Sequence, residues 1–164
     1  PRWIVSLLNR LFDTVTATVE SHGGLVNKFI GDAVLAVFGA PVPQADHAAK
    51  AAGCALELLG GVEVLNKQLH AEGQPPLRIG IGVHTGEVLA GRIGGKGRLE
   101  YSVIGDAVNV ASRLESATKE LGTPLLLSQS VFEGLDSQLR ASFRSLGKTA
   151  LRGRSDEVAV YAPV

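Results

Sequence analysis

One cysteine, Cys54, stands alone in the chain, which rules out a disulfide framework and any site built from several thiolates. Its Ala- and Leu-rich surroundings have helical spacing, so a core thiol is expected there. Charge of one sign is missing as well. Lys+Arg and Asp+Glu each number 16, and the formal net charge is +0. A nucleic-acid binder normally carries a basic excess or stripe, so no nucleic-acid partner is expected. A small anionic ligand stays compatible, because one local cluster of cations is enough to hold it. Long apolar runs are also lacking: none approaches the roughly 20 residues that cross a bilayer. The opening "PRWIVSLLNRLF" has neither the apolar core nor the small-residue cleavage site of a secretory leader. These absences predict a soluble domain in a reducing compartment, the cytoplasm. The chain starts almost directly inside a helical pattern, which suggests a piece of a longer protein, itself soluble or membrane-anchored.

Familiar cofactor signatures are missing too. "GRIGGKGR" is rich in glycine, yet it lacks the G-x-x-x-x-G-K-[ST] order of a phosphate-binding loop. "IGIG" likewise lacks the context of a dinucleotide fingerprint. His22, His47, His70 and His84 show no metal-ligand spacing. His84, at the end of a predicted strand, reads as structural or surface-exposed.

What is present is a core and a clear alternation of elements. The 164 residues are 45% hydrophobic and 20% charged, which suits one domain, 1–164, burying roughly 70% of its extended-chain surface. Ile4, Leu7, Leu8, Leu11, Phe12, Val15 and Val19 recur at steps of three and four, the stripe of an amphipathic helix. Gly23-Gly24 stops it. Leu25 to Ile30 and Ala33 to Phe38 predict two strands joined by Gly31-Asp32. A loop with Pro41 and Pro43 follows. Asp46 is placed to cap a helix running to about residue 70. "LRIGIGVHTGEVLAG" predicts a hairpin, and "GRIGGKGRLEY", residues 91–101, an exposed excursion. Tyr101 to Ile104 reads as a strand, and a helix follows from Asp106 to about Glu120. A short strand over Thr123 to Leu127, a short helix capped by Ser128 or Ser130, and closing strands complete the chain. In "EVAVYAPV", Val158, Val160 and Ala162 share a face. The fold class expected is α+β, a ferredoxin-like βαββαβ core with a mainly antiparallel sheet and added C-terminal elements.

Three constellations could carry chemistry. Lys28 and Asp32 flank the first hairpin turn. Gly31-Asp32 is either turn punctuation or a carboxylate held at a sheet edge, where it would suit a hard, phosphate-binding cation. In "YSVIGDAVNVASRLESA", Asn109 and Arg113 are four apart and face the same way on a helix. A guanidinium there fits a phosphate, although a surface Arg beside a polar neighbour gives the same spacing. In "GKTALRGRSDE", Lys148, Arg152 and Arg154 form either a polyphosphate contact or a solvated turn.

These residues coincide with a known family. "GGLVNKFIGDAVLAVFGAP", "GIGVHTGEVLAG", "YSVIGDAVNVASRLES" and "LRGRSDEVAVY" resemble, in order, the catalytic domain of a bacterial class III nucleotidyl cyclase. That superfamily includes the mammalian adenylyl and guanylyl cyclases. The resemblance implies that Asp32 is one of two carboxylates holding two divalent cations, Mg2+ or Mn2+. The second, with the first strand of the sheet, is expected upstream of Pro1. Without it Asp32 is expected to bind metal weakly. Lys28 and Ser102 are implied to select the base, Asn109 to hold the ribose, Arg113 to stabilise the transition state, and Arg152, with Arg154, to contact the triphosphate. Asp106 reads as a helix cap instead. Guanylyl cyclases typically carry Glu and Cys at the base-reading positions. Lys and Ser here imply ATP as substrate, cyclic AMP and pyrophosphate as products, and a role in signal transduction. The resemblance further implies a homodimer with active sites shared between protomers, the 91–100 excursion reaching across, and a regulatory domain upstream. The alternatives are a guanylyl cyclase or a non-catalytic module that binds nucleotide or only dimerises. A diguanylate-cyclase-like domain is disfavoured, since its "GG(D/E)EF" hairpin is absent.

Overall fold

The computed structural model describes residues 2–97 and 100–164. Helix α1 (Arg2–Ser21) buries Leu11 and Val19 from its apolar stripe. Gly23 ends it in the left-handed region, φ +78. The amides of Gly23 and Gly24 return to the carbonyls of Glu20 and Val19, the paired bonds of a Schellman stop. Strands β1 (Leu25–Ile30) and β2 (Ala33–Val37) then form the expected hairpin.

Helix α2 (His47–Ala71) follows. Its second half packs Val62, Leu65 and Leu69 on Leu11 of α1. Its small first-half residues, Ala48, Ala52 and Ala55, lie on strand β6 (Leu125–Ser128). Asp46 occupies the N-cap position but makes no capping bond. Its carboxylate lies 3.5 Å from Lys50 instead.

The hairpin expected within 77–91 does not form. Strand β3 (Ile81–Val83) pairs in parallel with β6, and β4 (Leu89–Ile93) pairs with β5 (Glu100–Ile104). The reason lies in the glycines. Gly82 of β3, and Gly80 just before it, leave this segment without side chains against helix α3 (Asp106–Leu121). A Cβ on Gly82 would overlap the backbone of Ala111 and Glu115. β3 is thereby drawn under α3, and β4 is left to take the next strand as partner.

After α3 the chain enters β6, then the short helices α4 (Gln129–Glu133) and α5 (Ser137–Arg140), and closes with strands β7 (Phe143–Ala150) and β8 (Glu157–Pro163). The main sheet has the order β3-β6-β8-β7, and every pairing in it except β3 with β6 is antiparallel. β6 turns Leu125 and Leu127 toward α2 and Leu126 toward Val110, Leu114 and Ala117 of α3. Helices therefore cover both faces of the sheet there, which explains four consecutive buried residues. Val160 and Ala162 are buried in the same α3-facing cluster, and Val158 packs against it. The molecule is thus a mixed α+β fold with mainly antiparallel pairing, its described residues divided into one four-stranded and two two-stranded sheets. No helix among the described residues is long and apolar enough to cross a membrane.

Candidate active site

The first hairpin turn is a two-residue loop, Gly31-Asp32, closed by the pair Ile30 and Ala33. Gly31 has φ +61. A positive φ at the first loop residue alone suits a type II′ turn, where glycine belongs. Asp32 is exposed at the tip. Among the described residues it makes no ion pair, not even with Lys28 on the same hairpin. Neither carboxylate oxygen has a hydrogen-bond partner among the described residues. Asp32 is one hard oxygen donor of the kind a divalent cation takes, and such a cation needs several. The described residues contain no group of three or more His, Cys, Asp or Glu that could hold a metal. Asp32 can therefore serve as one ligand of such a cation but does not, among the described residues, constitute a metal site alone.

Lys28 follows a bulge between Val26 and Lys28 and faces Leu35 across the hairpin. The bulged residue, Asn27, donates from Nδ2 to the Tyr101 carbonyl at 3.0 Å. That bond ties β1 to β5 and sets Lys28 and Ser102 beside its two ends. Ser102 is half-buried and pairs with Gly91 on β4. Paired residues share a sheet face, and Gly91 has no side chain to cover the Ser102 hydroxyl. The role of Asn27 escaped the sequence reading. The one available signal was an amide next to Lys28 between the apolar pairs Leu25-Val26 and Phe29-Ile30.

Helix α3 carries the second cluster. Val110, Leu114 and Ala117 bury one side. Asn109 is exposed and Arg113 half-buried. Arg113 lies against Gly153 in the β7–β8 turn: a Cβ built there would be 3.2 Å from Nη2. Gly153 has φ +79. The turn is closed by the Arg154 amide donating to the Leu151 carbonyl at 3.1 Å, and Leu151 is buried. Arg113 thus lies against the glycine that separates Arg152 from Arg154 in the chain, while Lys148 is exposed earlier on β7.

Asp106 does not cap the helix. Gly105 holds the N-cap position, and no side chain caps it. Asp106 is the first helical residue, and both its oxygens accept from Arg154 Nη1, at 2.8 and 3.0 Å. With 67% of the Asp106 side chain exposed, such a pair contributes about 0.2–1 kcal/mol, so its value is in geometry. His84 neighbours this pair. Its Nδ1 is 2.8 Å from the hydroxyl of buried Ser128, which occupies the Ser128 side chain and leaves α4 without a capping bond. Burial pushes the His84 imidazole below its usual range, with Asp106 pulling it up and Arg154 down. His84 is therefore a structural histidine, as its strand-end position suggested. Residues 98 and 99 of the glycine-rich excursion lie outside the described residues.

The family profile for the adenylate and guanylate cyclase catalytic domain matches residues 1–162. Adenylate cyclase 1 of Rhizobium meliloti (strain 1021) is 38% identical over 164 residues, which is 100% of this chain and 24% of that protein. The Mycobacterium tuberculosis protein Rv1320c is 41% identical over 162 residues, covering 98% of this chain and 27% of its own. The chain thus spans about a quarter of the length of these relatives. Among solved structures, the guanylyl cyclase Cya2 superposes with TM-score 0.87 at 32% identity, covering 99% of this chain and 81% of that one. The adenylyl cyclase CyaB from P. aeruginosa gives 0.87 at 29%, covering 100% and 83%. Profile, relatives and fold agree, and the chain belongs to the adenylate and guanylate cyclase catalytic domain family.

Proposed function

We propose that this domain is an adenylyl cyclase, turning ATP into 3′,5′-cyclic AMP and pyrophosphate. The observation that carries this reading is the contact of Arg113 with Gly153. It brings the α3 guanidinium to a turn with two more arginines, at the helix face that bears Asn109. In the reaction the ribose 3′-oxygen forms a bond to the α-phosphorus, and the bond from that phosphorus to pyrophosphate breaks. Asn109 holds the ribose in line for attack, which removes rotational freedom otherwise lost in the transition state. Arg113 meets the charge that builds on the pentavalent phosphorus, and Arg152 binds the triphosphate of the substrate and the pyrophosphate as it leaves, with Arg154 beside it. Two divalent cations, when held by Asp32 and a second carboxylate, supply Lewis acidity toward the phosphate oxygens.

Base choice rests on Lys28 and Ser102, and the bond from Asn27 to the Tyr101 carbonyl, between the residues that precede them in the chain, supports this pairing. Their donors and acceptors suit the adenine edge, with Ser102 short and neutral. A second reading, GTP as substrate, draws support from the likeness to the guanylyl cyclase Cya2. Two protomers sharing each site is the assembly we favour, because Asp32 is exposed with no partner among the described residues. The test is an assay of the purified protein with Mn2+ and equal ATP or GTP. Cyclic AMP should dominate, Arg113→Ala should lower kcat by about 10²–10³-fold, and specific activity should fall on dilution. Faster cyclic GMP formation would transfer the assignment to GTP. Nucleotide binding with no turnover in the full-length protein would leave a binding module.

A further inference from the structure

We propose that Asp106 is a positioning residue: through Arg154 it holds the β7–β8 turn along α3 and so fixes Arg152 and Arg113 relative to Asn109. The kinetic consequence rests on the cyclase reading above; the structural one does not.

Asp106, Asn109 and Arg113 follow one another at i, i+3 and i+7, which places all three on one face of α3. The β7–β8 turn touches this face at both ends. Arg154 reaches the helix start through Asp106, at 2.8 and 3.0 Å. Gly153 rests on Arg113 about two helical turns further along. Asn109 lies between the two attachments. Arg154 has little freedom to do otherwise, because its side chain is only 26% exposed. Its Nε is buried without an acceptor among the described residues, so the Asp106 carboxylate is the one side-chain partner it has there. The attachment also settles a problem of charge. An unpaired carboxylate at the start of α3 would repel a triphosphate, and Arg154 offsets it. Arg154 thereby serves the site indirectly, while Arg152, exposed on the other side of Gly153, stays free for the ligand.

The test uses Asp106→Asn, Asp106→Glu, Arg154→Ala and the exchanged pair Asp106→Arg/Arg154→Asp in the full-length protein. Melting temperatures should stay within about 4 °C of the unmodified protein, given how little an exposed pair contributes. Asp106→Asn should lower kcat about 10-fold, with KM for the nucleotide changing less than about 3-fold, as expected for misplaced groups. Asp106→Glu should recover part of that loss, and the exchanged pair should exceed Arg154→Ala. Amide hydrogens of residues 151–156 should exchange faster in Asp106→Asn. A kcat within 2-fold of the unmodified protein overturns the proposal. So does a lower KM in Asp106→Asn, which would mark Arg154 as a ligand restrained by Asp106. If the unmodified protein forms no cyclic nucleotide, the cyclase reading fails, and the exchange measurement alone decides: unchanged exchange overturns the positioning role, faster exchange sustains it.

Discussion

Gly153 shows how much the candidate site depends on a single missing side chain. Its φ of +79 is costly for other residues, and a Cβ would stand 3.2 Å from Arg113 Nη2. Gly153→Ala should cost about 1–2 kcal/mol from the left-handed backbone and push the guanidinium aside. Steady-state assays should show kcat down by about 10-fold, with the melting temperature lower by a few degrees. Cys54 behaves in the opposite way, since its chemistry is suppressed by its place in the core. Burial, then Glu57, pushes its thiol up to about 11. A folded value above the unfolded one, about 8.5, gives stability that is complete below the unfolded value and lost as pH rises through the folded one. Alkylation of native protein at pH 8 should therefore be slow, becoming fast only in denaturant. Rapid modification of native protein would contradict the burial.

At the scale of elements, α3 is the part on which most of the candidate site depends. Gly82 lets β3 pass beneath it, and an added methyl would overlap backbone atoms of Ala111 and Glu115, which cannot swing away. Gly82→Ala should displace α3 or unfold the domain. We expect a destabilisation of about 1–3 kcal/mol in chemical denaturation, together with loss of activity out of proportion to the folded fraction. This same packing marks where sequence reading ends. The helices were legible because apolar spacing in α1, α2 and α3 is a local signal. The first hairpin was legible because Gly31-Asp32 lies between two apolar runs. The pairing of β3 was not, since its partner β6 begins 44 residues later and the choice depends on glycines meeting a helix. The candidate residues Lys28, Asp32, Ser102, Asn109, Arg113 and Arg152 were named from short motifs. The bond from Asp106 to Arg154 spans 48 residues and leaves no local trace, which is why Asp106 read as a cap.

For the whole molecule, acid is a sharper probe than salt. His84 is held below its usual value of about 6.5, first by burial. A depressed folded value means stability that is complete above the unfolded pKa and lost as pH falls through the folded one. Denaturation curves should therefore show stability falling below pH 6.5, and His84→Gln should flatten that part of the profile. An unchanged slope in the variant would assign the effect to other groups.

The division of the described residues into three sheets sets the order in which the molecule fails on heating. The β1–β2 and β4–β5 ribbons have two strands each, a size that is marginal without support. Phe29, Ile30, Leu89 and Ile104 on them are half exposed or more. The sheet β3-β6-β8-β7 is held by buried residues packed against α2 and α3. Warming should loosen the ribbons that bear Lys28, Asp32 and Ser102 before that sheet melts. Nucleotide turnover should then be lost several degrees below the calorimetric transition, while far-ultraviolet dichroism from the helices is still largely intact.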